Sequence, residues 1–108
     1  MYELSIAITV RTISAVEELI GRRRRQILVH SCLYYYMDTN LITDSVFDRW
    51  CVELVALTAE HPEIAEKCVY HDAFEDFEGS TGVFLPYDTE EIIRAADTLL
   101  LVKRMGRI

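Results

Sequence analysis

Between Thr43 and Pro62 the chain places apolar side chains at Val46, Phe47, Trp50, Leu54 and Leu57. Steps of three and four lay them along one face of an α-helix, whereas a strand would scatter them over two faces. Thr43 or Asp44 can cap the start by accepting from free backbone N–H groups. Pro62 marks the end, because proline disfavours helical geometry in the residue ahead of it. A helix with one apolar stripe is stable only when that stripe is covered, so the rest of the chain has to supply matching faces.

The flanking segments can do so. Ser14-Ala15-Val16-Glu17 has the form of a capping box and predicts a helix running towards Met37, with Val16, Ile20, Ile27 and Tyr34 at helical spacing. Gly21 costs roughly 1 kcal/mol inside a helix, which predicts a break near it. Thr39–Ile42 reads as a short loop. Residues 63–82 are less periodic and carry the turn signal Glu78-Gly79-Ser80-Thr81-Gly82. Asp88 and Glu91 resemble a second capping box before a last helix carrying Ile92, Ala95, Ala96, Leu99, Leu100 and Val102, and Gly106 is placed to stop it. At the opening, Tyr2, Leu4, Ile6, Ile8 and Val10 alternate with other residues. That period of two reads as a β-strand, with helix as the alternative. The expected fold is mainly α, with a small α+β arrangement as its variant: one compact helical domain over residues 1–108, edged by an N-terminal strand. A lone strand has to pair with something, and a second copy of the chain is one such partner, giving a homo-oligomer.

Length and composition agree with one domain. The chain has 108 residues, 51% of them hydrophobic, and only six are Gly or Pro, so a core forms without staples and no long linker is expected. Residues 31–92 hold fourteen acidic against two basic side chains, a net charge of −12 in a chain of −7 overall. Such a surface repels phosphate backbones, which argues against direct DNA binding, and it suits a basic protein partner. Cys32, Cys51 and Cys68 are an odd set with no close pair, which favours reduced thiols in the cytoplasm. No basic leader opens the sequence and no run of about 18 apolar residues spans a membrane.

The most informative stretch runs from His30 to Ile64. Tyr34-Tyr35 close a helix, and Ile42, Asp44 and Phe47-Asp48 open the next. That second helix carries Glu53-Leu54 and ends in His61-Pro62-Glu63. This pattern resembles the N-terminal nicotinamide-mononucleotide-binding domain of the NAD-dependent DNA ligases, with residues 27–64 as the ligase-like helix-loop-helix module. It looks closest to small ligase-related proteins of phages and prophages that have this module without a catalytic domain. The resemblance implies that Tyr34, Asp44 and Asp48 contact the nicotinamide nucleotide, together with Tyr35 and Phe47. In the family those last two positions hold a histidine and a tyrosine. Phe47 keeps a ring to stack but lacks the hydroxyl, and Tyr35 replaces a titratable group only in part. The implied ligand is NAD or nicotinamide mononucleotide, with no metal.

Read from spacing alone, Asp44 and Asp48 stand about 40° apart around a helix, flanking the face with Phe47. They can border a polar pocket, or Asp44 can cap the helix while Asp48 is solvated or pairs with an arginine. Of Tyr34, Tyr35 and Tyr36, two are expected in the core or an interface and one partly exposed, since neighbours diverge by about 100°. Arg22, Arg23, Arg24 and Arg25 encircle more than one helical turn, so at least one approaches the stripe between Ile20 and Ile27. They read as contacts for a nucleotide phosphate or an acidic partner, or as a solvated face.

Lysine-adenylating ligases use a Lys-x-Asp-Gly motif. The lysines here, Lys67 and Lys103, stand in other contexts, so the chain is not expected to be an enzyme. His30, His61 and His71 lack ligand spacing with the cysteines, so no metal site is expected. Two functions follow: a stand-alone nicotinamide-nucleotide module, or an acidic protein-interaction factor that antagonises a host defence or nucleic-acid enzyme in the manner of anti-CRISPR proteins.

Overall fold

A computed structural model describes residues 2–107, with side chains from Thr12 onward. Helix α1 spans Tyr2–Ser31 and runs directly into a π-helical turn, Cys32–Tyr36. Helices α2 (Asp44–Glu60), α3 (Pro62–Lys67) and α4 (Glu90–Arg104) follow, with a short 3-10 turn at Asp72–Phe74. Among the described residues there is no strand, so the fold is mainly α.

The strand expected at the N-terminus is instead the first part of α1. With no second strand to pair with among the described residues, only a helix satisfies that backbone internally. The strand invoked for self-association is therefore not formed. The same continuity removes the start expected at Ser14: inside a running helix the N–H groups near Glu17 already have backbone partners, so nothing is left to cap. Gly21 does not break α1 either. Val69 lies against it, and a Cβ built at Gly21 would sit 3.4 Å from Val69 Cγ1. Tertiary packing outweighs the roughly 1 kcal/mol of lost propensity.

Other boundaries follow local chemistry. Thr43 Oγ1 accepts from Val46 N at 3.3 Å and opens α2. Pro62 takes the first position of α3, where its missing N–H costs nothing. Thr89, one residue after the expected Asp88, caps α4 by accepting from Ile92 N at 3.4 Å. Gly106, at φ 74°, closes α4 with its N–H on the Lys103 carbonyl at 2.9 Å.

Helix α1 is the spine, touching α2, α3 and α4. Ile20, Ile27 and Leu28 from α1 pack with Cys51 and Leu54 from α2, Ala65 from α3, and Ile92 and Ala96 from α4. Arg24 belongs to this core, only 2% exposed. Its Nη1 donates to the carbonyls of Ala65 (3.1 Å), Cys68 (3.4 Å) and Val69 (3.1 Å), pinning the end of α3 to α1. Burial lowers its pKa from the usual arginine value, with Cys68 acting the other way.

A hollow at the α1–α2 junction

The π turn positions the site. Met37 N–H reaches back five residues to the Cys32 carbonyl at 3.0 Å, and Thr39 N–H bonds the Leu33 carbonyl at 2.9 Å. Single π turns recur where a helix must re-aim side chains. Here Cys32 and Leu33 take the buried positions, and Tyr34, Tyr35 and Tyr36 all fall outside the core, 52%, 37% and 55% exposed. By that register none of the three is a core residue, against the core placement expected for two of them. Asp38, at φ 51°, then reverses the chain into the loop leading to α2.

Tyr34 and Tyr35 from this turn face a hollow of about 240 Å³ shared with Asp44, Phe47 and Asp48 from the first turns of α2. The five residues singled out from the sequence therefore line one space. Tyr34 and Tyr35 meet edge to face at 4.8 Å. Tyr35 also stacks on Tyr87 at 5.7 Å, and its hydroxyl bonds Thr81 Oγ1 at 2.8 Å.

Several lining groups escaped the sequence reading. Asn40, Ile42 and Thr43 come from the connecting loop, and Ser80 and Thr81 from the turn at 78–82. His30 and Ser31, at the end of α1, complete the wall. Ser31 is fully buried, yet its Oγ has no hydrogen-bond partner, and His30 Nδ1 is likewise unpartnered. Natural interiors hold few such groups. Burial lowers the His30 pKa from 6.5, so its ring is neutral at pH 7. Trp50 touches that ring at 5.3 Å, and Arg23 in turn lies over Trp50 at 5.7 Å.

None of the four arginines lines the hollow. Arg23 pairs with Glu53 at 3.1 Å, Arg22 with Glu18 at 3.2 Å, and Arg25 lies over Tyr70 at 5.9 Å. Arg24 is committed to the core. A phosphate clamp built from this run at the hollow is not what the geometry offers: the π turn lies beyond them, and their partners are on α1 itself, α2, α3 and the segment after it.

Residues 13–67, just over half of the chain, match the family of the DNA ligase-like, N-terminal NAD+-binding domain. The chain belongs to that family. Similar proteins include the DNA ligase of Methylococcus capsulatus, 41% identical over 49 residues. Another is that of Azotobacter vinelandii, 45% identical over 47 residues. These matches cover 45% and 44% of this chain but 7% and 6% of those ligases. No solved structure gives a significant match. Of the hollow's lining, Ser80 and Thr81 lie beyond the span matched by this DNA ligase-like N-terminal domain family, and Tyr35 bonds Thr81.

The three cysteines are free and buried. Burial, then Asp48, pushes the Cys51 thiol up to about 11. No described helix is long and apolar enough to cross a membrane.

Proposed function

We propose that the protein binds a nicotinamide nucleotide, NAD+ or its mononucleotide half, in the hollow at the α1–α2 junction. The carrying observation is that Tyr34 and Phe47 share one hollow with Asp44 and Asp48. Rings from two elements suit a flat pyridinium, and cations are attracted to aromatic faces. The carboxylates complement its positive charge and accept from ribose hydroxyls. No Lys or Arg lines the space to oppose that charge. At about 240 Å³ the hollow is smaller than the roughly 300–1,000 Å³ of sites for drug-sized ligands, so it suits the nicotinamide half with the remainder outside. The family's name describes NAD+ binding, which supports the reading. Reduced, buried cysteines fit a cytoplasmic setting.

Calorimetric titration with nicotinamide mononucleotide and NAD+ tests this. Binding is expected, weakened about tenfold by Tyr34→Ala or Asp48→Asn, as loss of a stacked ring or charged acceptor predicts. No heat at millimolar ligand, where a ligase control binds, rejects the proposal.

A second reading is favoured by Phe84, 92% exposed, on a groove with Asp72, Asp76 and Glu78. An apolar anchor among carboxylates suits a basic protein partner. Capture from lysate that is lost at high salt and with Phe84→Ala supports it, and no capture at either salt concentration ends it.

A further inference from the structure

We infer that Ser31 and His30 read the primary carboxamide of the ligand, so that the hollow accepts nicotinamide and rejects nicotinic acid. The inference rests on the nucleotide-binding reading above and adds the chemical group that selects the occupant.

Ser31 is the unusual residue. A serine near a helix end ordinarily bonds back to a carbonyl one turn earlier. Ser31 Oγ does not, although the side chain is fully buried on the wall of the hollow. Gly82 packs closely beside it. A Cβ at Gly82 would stand 2.1 Å from Ser31 Oγ, so a glycine is what lets the 78–82 turn close without pressing on that hydroxyl. Next to it, His30 Nδ1 is the other unpartnered buried atom of this wall. Trp50 holds the ring edge to face, and burial keeps it neutral, able to accept through one nitrogen.

These two atoms ask for complementary partners. The Ser31 hydroxyl can donate, and a neutral His30 protonated on Nε2 accepts at Nδ1. A primary carboxamide offers a carbonyl oxygen to the first and an N–H to the second. Adjacent helical residues diverge by about 100°, so the two side chains meet such a group from different sides. Nicotinic acid fails on both counts. Its carboxylate has no N–H for His30, and its charge enters a space already lined by Asp44 and Asp48 with no Lys or Arg. Sites that hydrogen-bond a substrate group reject the analogue lacking it far more strongly than apolar pockets sort by size.

The test titrates the full chain with nicotinamide mononucleotide and with nicotinic acid mononucleotide. Wild type is expected to prefer the amide by about 100-fold, a charge-assisted mismatch plus a lost hydrogen bond. Ser31→Ala should weaken the amide ligand about tenfold, with a melting temperature no lower than wild type, and His30→Phe, which removes the acceptor for the amide N–H, should shrink the preference. Equal affinity of wild type for both ligands overturns the inference without any variant, and so does an unchanged preference in His30→Phe. Both results leave nucleotide binding standing. Failure of nicotinamide mononucleotide to bind wild type removes the underlying reading and this inference with it.

Discussion

Replacing Gly82 with alanine adds one methyl group at the most crowded point of the hollow's wall. The new Cβ would lie 2.1 Å from Ser31 Oγ, 3.2 Å from Ser31 Cβ and 3.4 Å from Phe47 Cζ. Gly82 is not among the positive-φ glycines, which are Gly79 and Gly106, so alanine meets no backbone penalty and the effect is steric. Overpacking of this kind costs about 1–3 kcal/mol. In a domain of this size that is a fall in melting temperature of about 5–15 °C. The geometry also names the suppressor. Ser31→Ala removes the 2.1 Å contact and leaves the tight but tolerable ones at 3.2 and 3.4 Å. The single Ser31→Ala change deletes a buried hydroxyl without a partner and should be neutral or stabilising by about 1 kcal/mol. The double variant should therefore recover most of the loss, a coupling that a double-mutant cycle in thermal melts measures directly. If Gly82→Ala melts with wild type, or if the double variant melts as low as the single, the packing described at Ser31 is wrong.

Arg24→Met should cost about 2–4 kcal/mol in urea unfolding, because three carbonyls at the end of α3 lose a charged donor in a buried setting; stability within about 0.5 kcal/mol of wild type refutes a structural role. Burial lowers the His30 pKa below 6.5, so the unfolded chain binds the extra proton first as pH falls. Stability should therefore drop below about pH 6.5 and be unaffected by this group above it; His30→Gln should flatten the urea midpoint between about pH 5 and pH 7.5, and an unchanged slope counts against the assignment. All three thiols should resist a disulfide reagent in the native state and react together after denaturation, since each is buried and its pKa raised, Cys51 to about 11. Rapid native reaction of any of them contradicts the packing. Tyr35→Phe removes the bond to Thr81 and keeps the stack on Tyr87, so amide exchange at 80–83 should quicken while that of α2 stays as it was.

Helix α2 was readable because three independent signals coincide there: the Thr43 cap, the stripe from Val46 to Leu57 and the stop at Pro62. The first residues of α1 were not, because Leu4, Ile6, Ile8 and Val10 satisfy a period of two without excluding a helix, and the missing partner strand is visible only in three dimensions. Arg24 carried a signal that a run of four arginines hides. It lies four residues after Ile20 and three before Ile27, so the buried stripe passes through it. At the hollow, Tyr34, Asp44, Phe47 and Asp48 were legible through the family pattern, whereas Ser31 and His30 were not. Their interest lies in lacking partners, which is a property of everything packed around them.

The turn at 78–82 adds to the hollow from beyond the span that the family match covers, and Tyr35 is the residue that joins the two. A phenol has a flat face and a distal hydroxyl, and Tyr35 uses both, the face on Tyr87 and the hydroxyl on Thr81. That one side chain ties the segment beyond residue 67 to the junction of α1 and α2. Gly82 then approaches Ser31 and Phe47, while Gly79, at φ 93°, brings the turn against Val55 and Cys51. Together these contacts wall the hollow and bury the hydroxyl of Ser31, whose unmet hydrogen bond is the feature on which the proposed carboxamide contact rests.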